Sequence, residues 1–286
     1  MNVKFIMTIL AASLVLASCT EKPDDGKHQD GEVVIPELPA DPHPDNTAFQ
    51  HRIILLQHTG TGCINCPNLM ASLKKLSQDA EYSGRYQHVA AHSYNNDDLA
   101  YSTAAANVSQ AFCSGFYPEL TFNLTNENTG TSLSVETIKS HIDGLYKDEA
   151  DAGISAAVLQ TGGSLGINVC VKSAKKNQYR VAVWLLEDEI RCRQTGASED
   201  WMNTHNNALR AMAGSTLNLR IYGEKVGELD KGDTAEKSFI LPLEDGWNAE
   251  NCRVLVIVNA ARPDGRYDLA NCAICPIGDE ITYTYR

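Results

Sequence analysis

The feature that most constrains the fold is a change in hydrophobic rhythm near Asp151-Ala152-Gly153. Before it, from about Ala48, apolar runs and helical patterns take turns. Arg52–Gln57 has the length and content of a buried strand. Further on, Leu69, Met70, Leu73 and Leu76 fall on one helical face, with Lys74 and Lys75 outside it. Tyr86–His92 reads as a strand. The alanine-rich stretch Asp97–Phe112 reads as a helix that Asp97 or Asp98 is placed to cap. Glu119–Leu124 reads as a third strand, and Ser132 or Ser134 starts a helix running to about Ala150. The order β-α-β-α-β-α predicts an α/β layered domain over residues 48–150.

After residue 151 the rhythm is short and strand-like. Residues 154–160, 164–171, 179–186, 215–222, 236–241, 254–260 and 281–285 are apolar or alternating. Polar turns such as Thr161-Gly162-Gly163 and Asp264-Gly265 separate them. Many short strands between turns predict an all-β domain over 151–286, an immunoglobulin-like antiparallel sandwich. One helix-like insert, Asp200–Met212, interrupts the series. Each half is long enough to bury its own core.

The N-terminus indicates the compartment. Lys4 precedes an uncharged, mostly apolar run, Phe5–Leu16. It is too short for a permanent membrane span and suits a signal peptide over residues 1–18. Leu16-Ala17-Ser18-Cys19 resembles the lipobox of bacterial lipoproteins, which implies lipidation at Cys19. Residues 19–47 then read as the lipidated cysteine and a flexible tether, rich in proline and acids. Thr20, in place of an aspartate after Cys19, suits an outer-membrane destination, on the periplasmic face or the cell surface. A net charge of −12 makes nucleic acid a poor partner. Envelope or extracellular proteins are the expected partners.

Nine cysteines are present. Outside the cytoplasm most are expected in disulfides. Cys63-Ile64-Asn65-Cys66-Pro67 follows a strand and a glycine loop and opens a helix. The unbonded amides and dipole of a helix start favour a thiolate, which is the nucleophile in exchange. Cys63, the more exposed, is expected to attack a partner disulfide, and Cys66, a turn further in, to resolve the mixed disulfide. Pro67 is tolerated in a first helical turn. Cys272-Ala273-Ile274-Cys275-Pro276 echoes this Cys-x-x-Cys-Pro spacing in a β-rich tail without a helix. It is expected to be structural, with Cys170, Cys192 and Cys252 as candidate partners. There is no zinc-protease motif, nucleophile elbow, phosphate loop or dinucleotide glycine pattern, and no cofactor or metal is expected.

Strand, glycine loop, Cys63–Cys66, helix and a proline before the third strand together resemble thioredoxin-like domains. The resemblance implies a cis bond at Tyr117-Pro118, with Pro118 facing the cysteines and the Tyr117 backbone receiving an extended substrate. The glycine at 62, where thioredoxins carry Trp, and the lack of a buried acid in Arg52–Gln57 depart from that pattern. His58 is the nearest substitute for the acid. The whole arrangement, with His205–Gly214 and Val254–Asn259, resembles the outer-membrane-protein-28-related lipoproteins of Gram-negative bacteria. Two functions follow as expectations. One is thiol–disulfide exchange on envelope proteins. The other is a non-catalytic surface binding or adhesion module that uses the thioredoxin-like half as a scaffold.

Overall fold

The structure, a computed structural model, describes residues 32–125, 129–131 and 133–286. The expected signal peptide, Cys19 and the start of the tether lie outside the described residues.

The first half runs β1 (Ile53–Thr59), α1 (Cys66–Ser77), β2 (Tyr86–His92), α2 (Thr103–Phe112), β3 (Glu119–Phe122), β4 (Thr129–Thr131) and α3 (Val135–Leu145). β1 pairs in parallel with β2 and antiparallel with β3. As the sequence suggests, Ser134 caps α3, its side chain accepting from the Thr137 amide. α2 starts later than expected. Ser102 caps it by accepting from Ala105 N, because Asp98 is buried and engaged elsewhere.

The second half adds β5 (Ala152–Thr161), β6 (Ser164–Ser173), β7 (Asn177–Glu187), β8 (Ile190–Arg191), β9 (Thr204–His205) and β10 (Ala208–Met212). Then come α4 (Leu217–Tyr222), β11 (Glu224–Leu229), β12 (Thr234–Pro242), β13 (Cys252–Ala261), β14 (Tyr267–Pro276) and β15 (Glu280–Ile281). Two expectations fail here. Residues 200–212 are not a helix but a 3₁₀ turn, Asp200–Asn203, followed by β9 and β10. The reason is lateral pairing: β10 bonds β7 on one side and meets β2 through Ala208 and Ala90 on the other. Residues 215–222 are not a strand. Thr216 caps α4, and the Trp184 indole N–H donates to the Arg220 carbonyl, holding that helix on β7.

The β2–β10 contact makes one sheet of both halves, in the order β14-β13-β7-β10-β2-β1-β3-β4, with β11 also on β7. The change of rhythm at residue 151 is thus a change in how strands are connected, without a break in the sheet. A second sheet, β12-β6-β5-β15, lies over the β7-β13-β14 end. Val, Ile, Leu and Ala side chains of the two sheets fill the space between, among them Val169, Val171, Val183, Val254 and Val256. At the other end α1 and α3 cover the same face through Leu69, Leu73, Leu76, Ile138 and Ile142. The opposite face is covered by α2 and α4. Mixed α/β structure dominated by strands is therefore as expected.

The tether's later part is laid against the fold. Lys172 is 1% exposed, and its ammonium donates to Asp41 Oδ2 (2.8 Å) and to the carbonyls of His43 and Pro44. Asn168 donates to the Pro36 carbonyl (3.2 Å). A buried ammonium needs such partners, and the proline-rich segment supplies them in place of solvent. Gly166 is required here, since any side chain on it would run into the Val34 carbonyl.

Candidate functional site

The loops after β1 and β2 and the loop before β3 meet at one end of the sheet. Because β1 and β2 are parallel and β3 is antiparallel, the carboxyl ends of the first two strands adjoin the start of the third. That end of an open α/β sheet is where side chains from several loops converge. Cys63 and Cys66 lie there, joined in a disulfide. Tyr117–Pro118 lies there as well, and its peptide bond is cis.

Cys66 is the first residue of α1, not a residue one turn inside, and Pro67 occupies its first turn. Cys63 sits in the turn before it. Cys63 is the more exposed of the pair, but at only 3% against 0% for Cys66 both are buried. The cover comes from the second half of the chain. The Gln194 side-chain amide donates to the Cys63 carbonyl (3.0 Å), and the Thr195 amide donates to the Thr61 carbonyl (2.7 Å). Gly196 has φ +78°, and a side chain on it would come within 2.7 Å of the Ile64 carbonyl. From the other side, Thr61 N donates to Asp98 Oδ2 (2.8 Å) and Gly62 N to Asn95 Oδ1 (2.9 Å). Asn95, Gln194 and Thr195 carry no signal in the sequence, and Asp98 suggests only a helix cap there. They come from distant segments, and no local pattern marks them as holding this loop.

Asp98 also meets His92 Nδ1 at 2.8 Å. Burial alone pushes the Asp98 carboxyl up, but the bonds from His92, Thr61 and Ala100 outweigh it and hold the group at about 2. Asp98 is thus a fixed anion anchoring the disulfide loop. His58, the suggested acid substitute, lies on the other face. It is fully buried between Ser109 Oγ (2.9 Å) and Thr121 Oγ1 (3.0 Å), and burial lowers it to about 4. Tyr117 Oη is 3.0 Å from Ser93 Oγ, and its ring meets Tyr94 edge-on at 5.3 Å. Its side chain is thereby engaged. Ile64, Tyr94, Leu99 and Phe116 stand exposed on the converging loops.

The remaining cysteines depart from expectation. Cys113, Cys170, Cys192, Cys252, Cys272 and Cys275 are free thiols. Cys272 and Cys275 lie in β14, where residues three apart point to opposite faces. Cys272 belongs to the core under α2, and Cys275 to the core between the sheets. Burial pushes both up to about 12. Cys113, next to Glu119, is pushed up to about 11, chiefly by burial.

The family model described as Outer membrane protein Omp28 matches residues 122–267. The chain belongs to this family. The match begins at the last residue of β3, so the Omp28 resemblance rests on the second half and leaves the disulfide outside it. No curated protein matches the chain. Among solved structures, HBP35 of Porphyromonas gingivalis is similar with a TM-score of 0.65 at 14% identity, over 81% of this chain and 77% of that one. A protein from Agrobacterium tumefaciens is similar with a TM-score of 0.50 at 15% identity, over 83% of this chain and 99% of that one. At these identities the likeness is one of fold.

Proposed function

We propose that this Omp28-family protein is an outer-membrane lipoprotein, anchored through Cys19, that exchanges disulfides with envelope proteins at Cys63 and Cys66. In this reading residues 48–150 are a thioredoxin-like domain and the two packed sheets of the second half are an immunoglobulin-like sandwich. The observation that carries it is the Cys63–Cys66 disulfide at the start of α1, with Ile64, Tyr94 and Phe116 exposed on the loops that converge at that end of the sheet. Apolar side chains around a reactive pair suit a polypeptide partner.

In the reduced state the Cys63 thiolate attacks a partner disulfide, forming a mixed disulfide and releasing one partner thiolate. Cys66, as thiolate, then attacks Cys63 Sγ and releases the second partner thiolate. The partner leaves as a dithiol and the site as the observed disulfide, which an envelope dithiol must reduce before another turn. Pro118 and the Tyr117 backbone receive the partner strand. Cys63 is buried, so the Gln194–Gly196 segment must lift for each encounter.

That burial favours a second reading, in which the disulfide is permanent and the apolar rim is a binding surface. A redox titration of the chain from residue 20 against glutathione separates the two. Exchange predicts reversible opening between about −120 and −270 mV, with Cys66→Ser trapping a mixed disulfide on Cys63. A pair that stays closed below about −300 mV, with no trapped species, leaves the binding module.

A further inference from the structure

Apart from the disulfide, a cavity of about 410 Å³ opens on the face of the sheet that carries α1. It lies where the cover given by α1 ends and the segment around β8 and β9 takes over. Its floor is Gln57, His88 and His92, and its walls include Leu73, Lys74 and Trp201. The Lys74 ammonium lies 5.6 Å from the centre of the Trp201 ring.

The floor holds a chain of hydrogen bonds whose direction is determined. Arg253 can only donate, and its guanidinium gives a hydrogen to Asn207 Oδ1 (2.6 Å). The Asn207 amide nitrogen must therefore be the atom facing His88 Nδ1 (3.2 Å), to which it donates. His88 then carries its hydrogen on Nε2 and donates to Gln57 Oε1 (3.0 Å). Burial holds His88 neutral, down at about 4, which agrees with a single ring hydrogen. At the end of the chain stands Gln57 Nε2, a donor covered from solvent on a side chain 3% exposed, with no hydrogen-bond partner among the described residues. Leaving a buried amide donor unpaired is costly, so a group that accepts from it is stabilised.

We propose that this cavity binds a small uncharged molecule whose carbonyl oxygen draws Gln57 Nε2 out to the cavity floor by a small turn of its amide, and whose flat apolar body rests on Leu73 and Trp201. The class is uncharged because the floor donor is neutral, and the charges lining the cavity, Lys74 and Glu189, are of opposite sign. The proposal does not depend on disulfide turnover.

Benzamide is the probe, followed by ligand-observed NMR on the full mature chain with its disulfide intact, with benzoate in parallel. Benzamide is expected to bind in the millimolar range and benzoate more weakly. Gln57→Glu keeps an acceptor for His88 but removes the free donor, and should weaken benzamide about ten-fold. Gln57→Leu tests the same point without adding charge. Trp201→Ala, at the wall, should weaken it several-fold. The proposal is overturned if native protein binds no benzamide, if benzoate binds more tightly, or if both Gln57 variants bind benzamide as well as the native chain.

Discussion

Cys63-Ile64-Asn65-Cys66-Pro67 and Cys272-Ala273-Ile274-Cys275-Pro276 set the same Cys-x-x-Cys-Pro spacing on two different backbones. The first spans a turn into a helix, which brings the two Cα atoms to 5.4 Å and allows a disulfide. The second runs along β14, where the alternation of side chains sends the two sulfurs into separate cores. Spacing therefore does not make a disulfide; the backbone under the spacing does. The surroundings differ too. The first pair is held by polar groups, Asn95, Asp98 and Gln194, whereas Cys275 packs among aliphatic side chains between two sheets.

The largest expected contrast is in thiol reactivity. After mild reduction of the folded protein, alkylation at pH 8 read by mass spectrometry should label Cys63 at least about a thousand-fold faster than Cys272 or Cys275. Thiols held near 12 are about one part in ten thousand thiolate at that pH. Equal labelling without denaturant would erase the distinction between the two motifs.

A smaller contrast concerns acid. His51, His58, His88 and His205 are each held near 4 by burial. Three of them lie in the half that carries the disulfide, and His205 packs edge-on against its His92 at 4.9 Å. They stay neutral when folded but take up a proton near 6.5 when unfolded. Their contribution is complete above pH 6.5 and is lost as pH falls from there toward 4, each by at most about 1.4 kcal/mol per pH unit. Urea unfolding at pH 7.5 and 5.5 should show a loss of several kcal/mol at the lower pH, and His58→Gln should reduce that slope. Cys272→Ala, a packing change alone, should cost about 1–2 kcal/mol equally at both. A pH-independent native midpoint would contradict the buried neutral histidines.

The smallest effect isolates the cover over the first pair. Gly196→Val places a side chain at φ +78° against Ile64, whereas Gly265→Val, at φ +82°, meets open space. Both should lose about 1 kcal/mol from backbone strain. Only Gly196→Val should speed reduction of Cys63–Cys66 by dithiothreitol, by up to about ten-fold. Equal rates in the two variants would mean that the Gln194–Gly196 segment does not guard the disulfide.

Much of the first half was legible because local signals agree there. The apolar run of β1, the face of Leu69, Leu73 and Leu76 on α1, and Ser134 before α3 all specify the element they form. The second half misled where neighbours decide. Ala208–Met212 has helix-forming letters but is a strand because β2 and β7 both offer edges to it. Leu217–Tyr222 has strand-forming letters but is a helix because Thr216 caps it and Trp184 holds it.

By itself the sequence determined the order of the α/β elements, the position of Cys63 and Cys66 at a helix start, and the strand-rich second half. Each follows from side-chain periodicity and capping within a few residues. Only the tertiary structure decided that both halves share one sheet, that Gln194 and Asp98 grip the disulfide loop, and that Gln57 ends a chain of bonds from Arg253. Those contacts join residues up to 131 positions apart, and they are set by which surfaces must be buried together and which polar groups must then find partners.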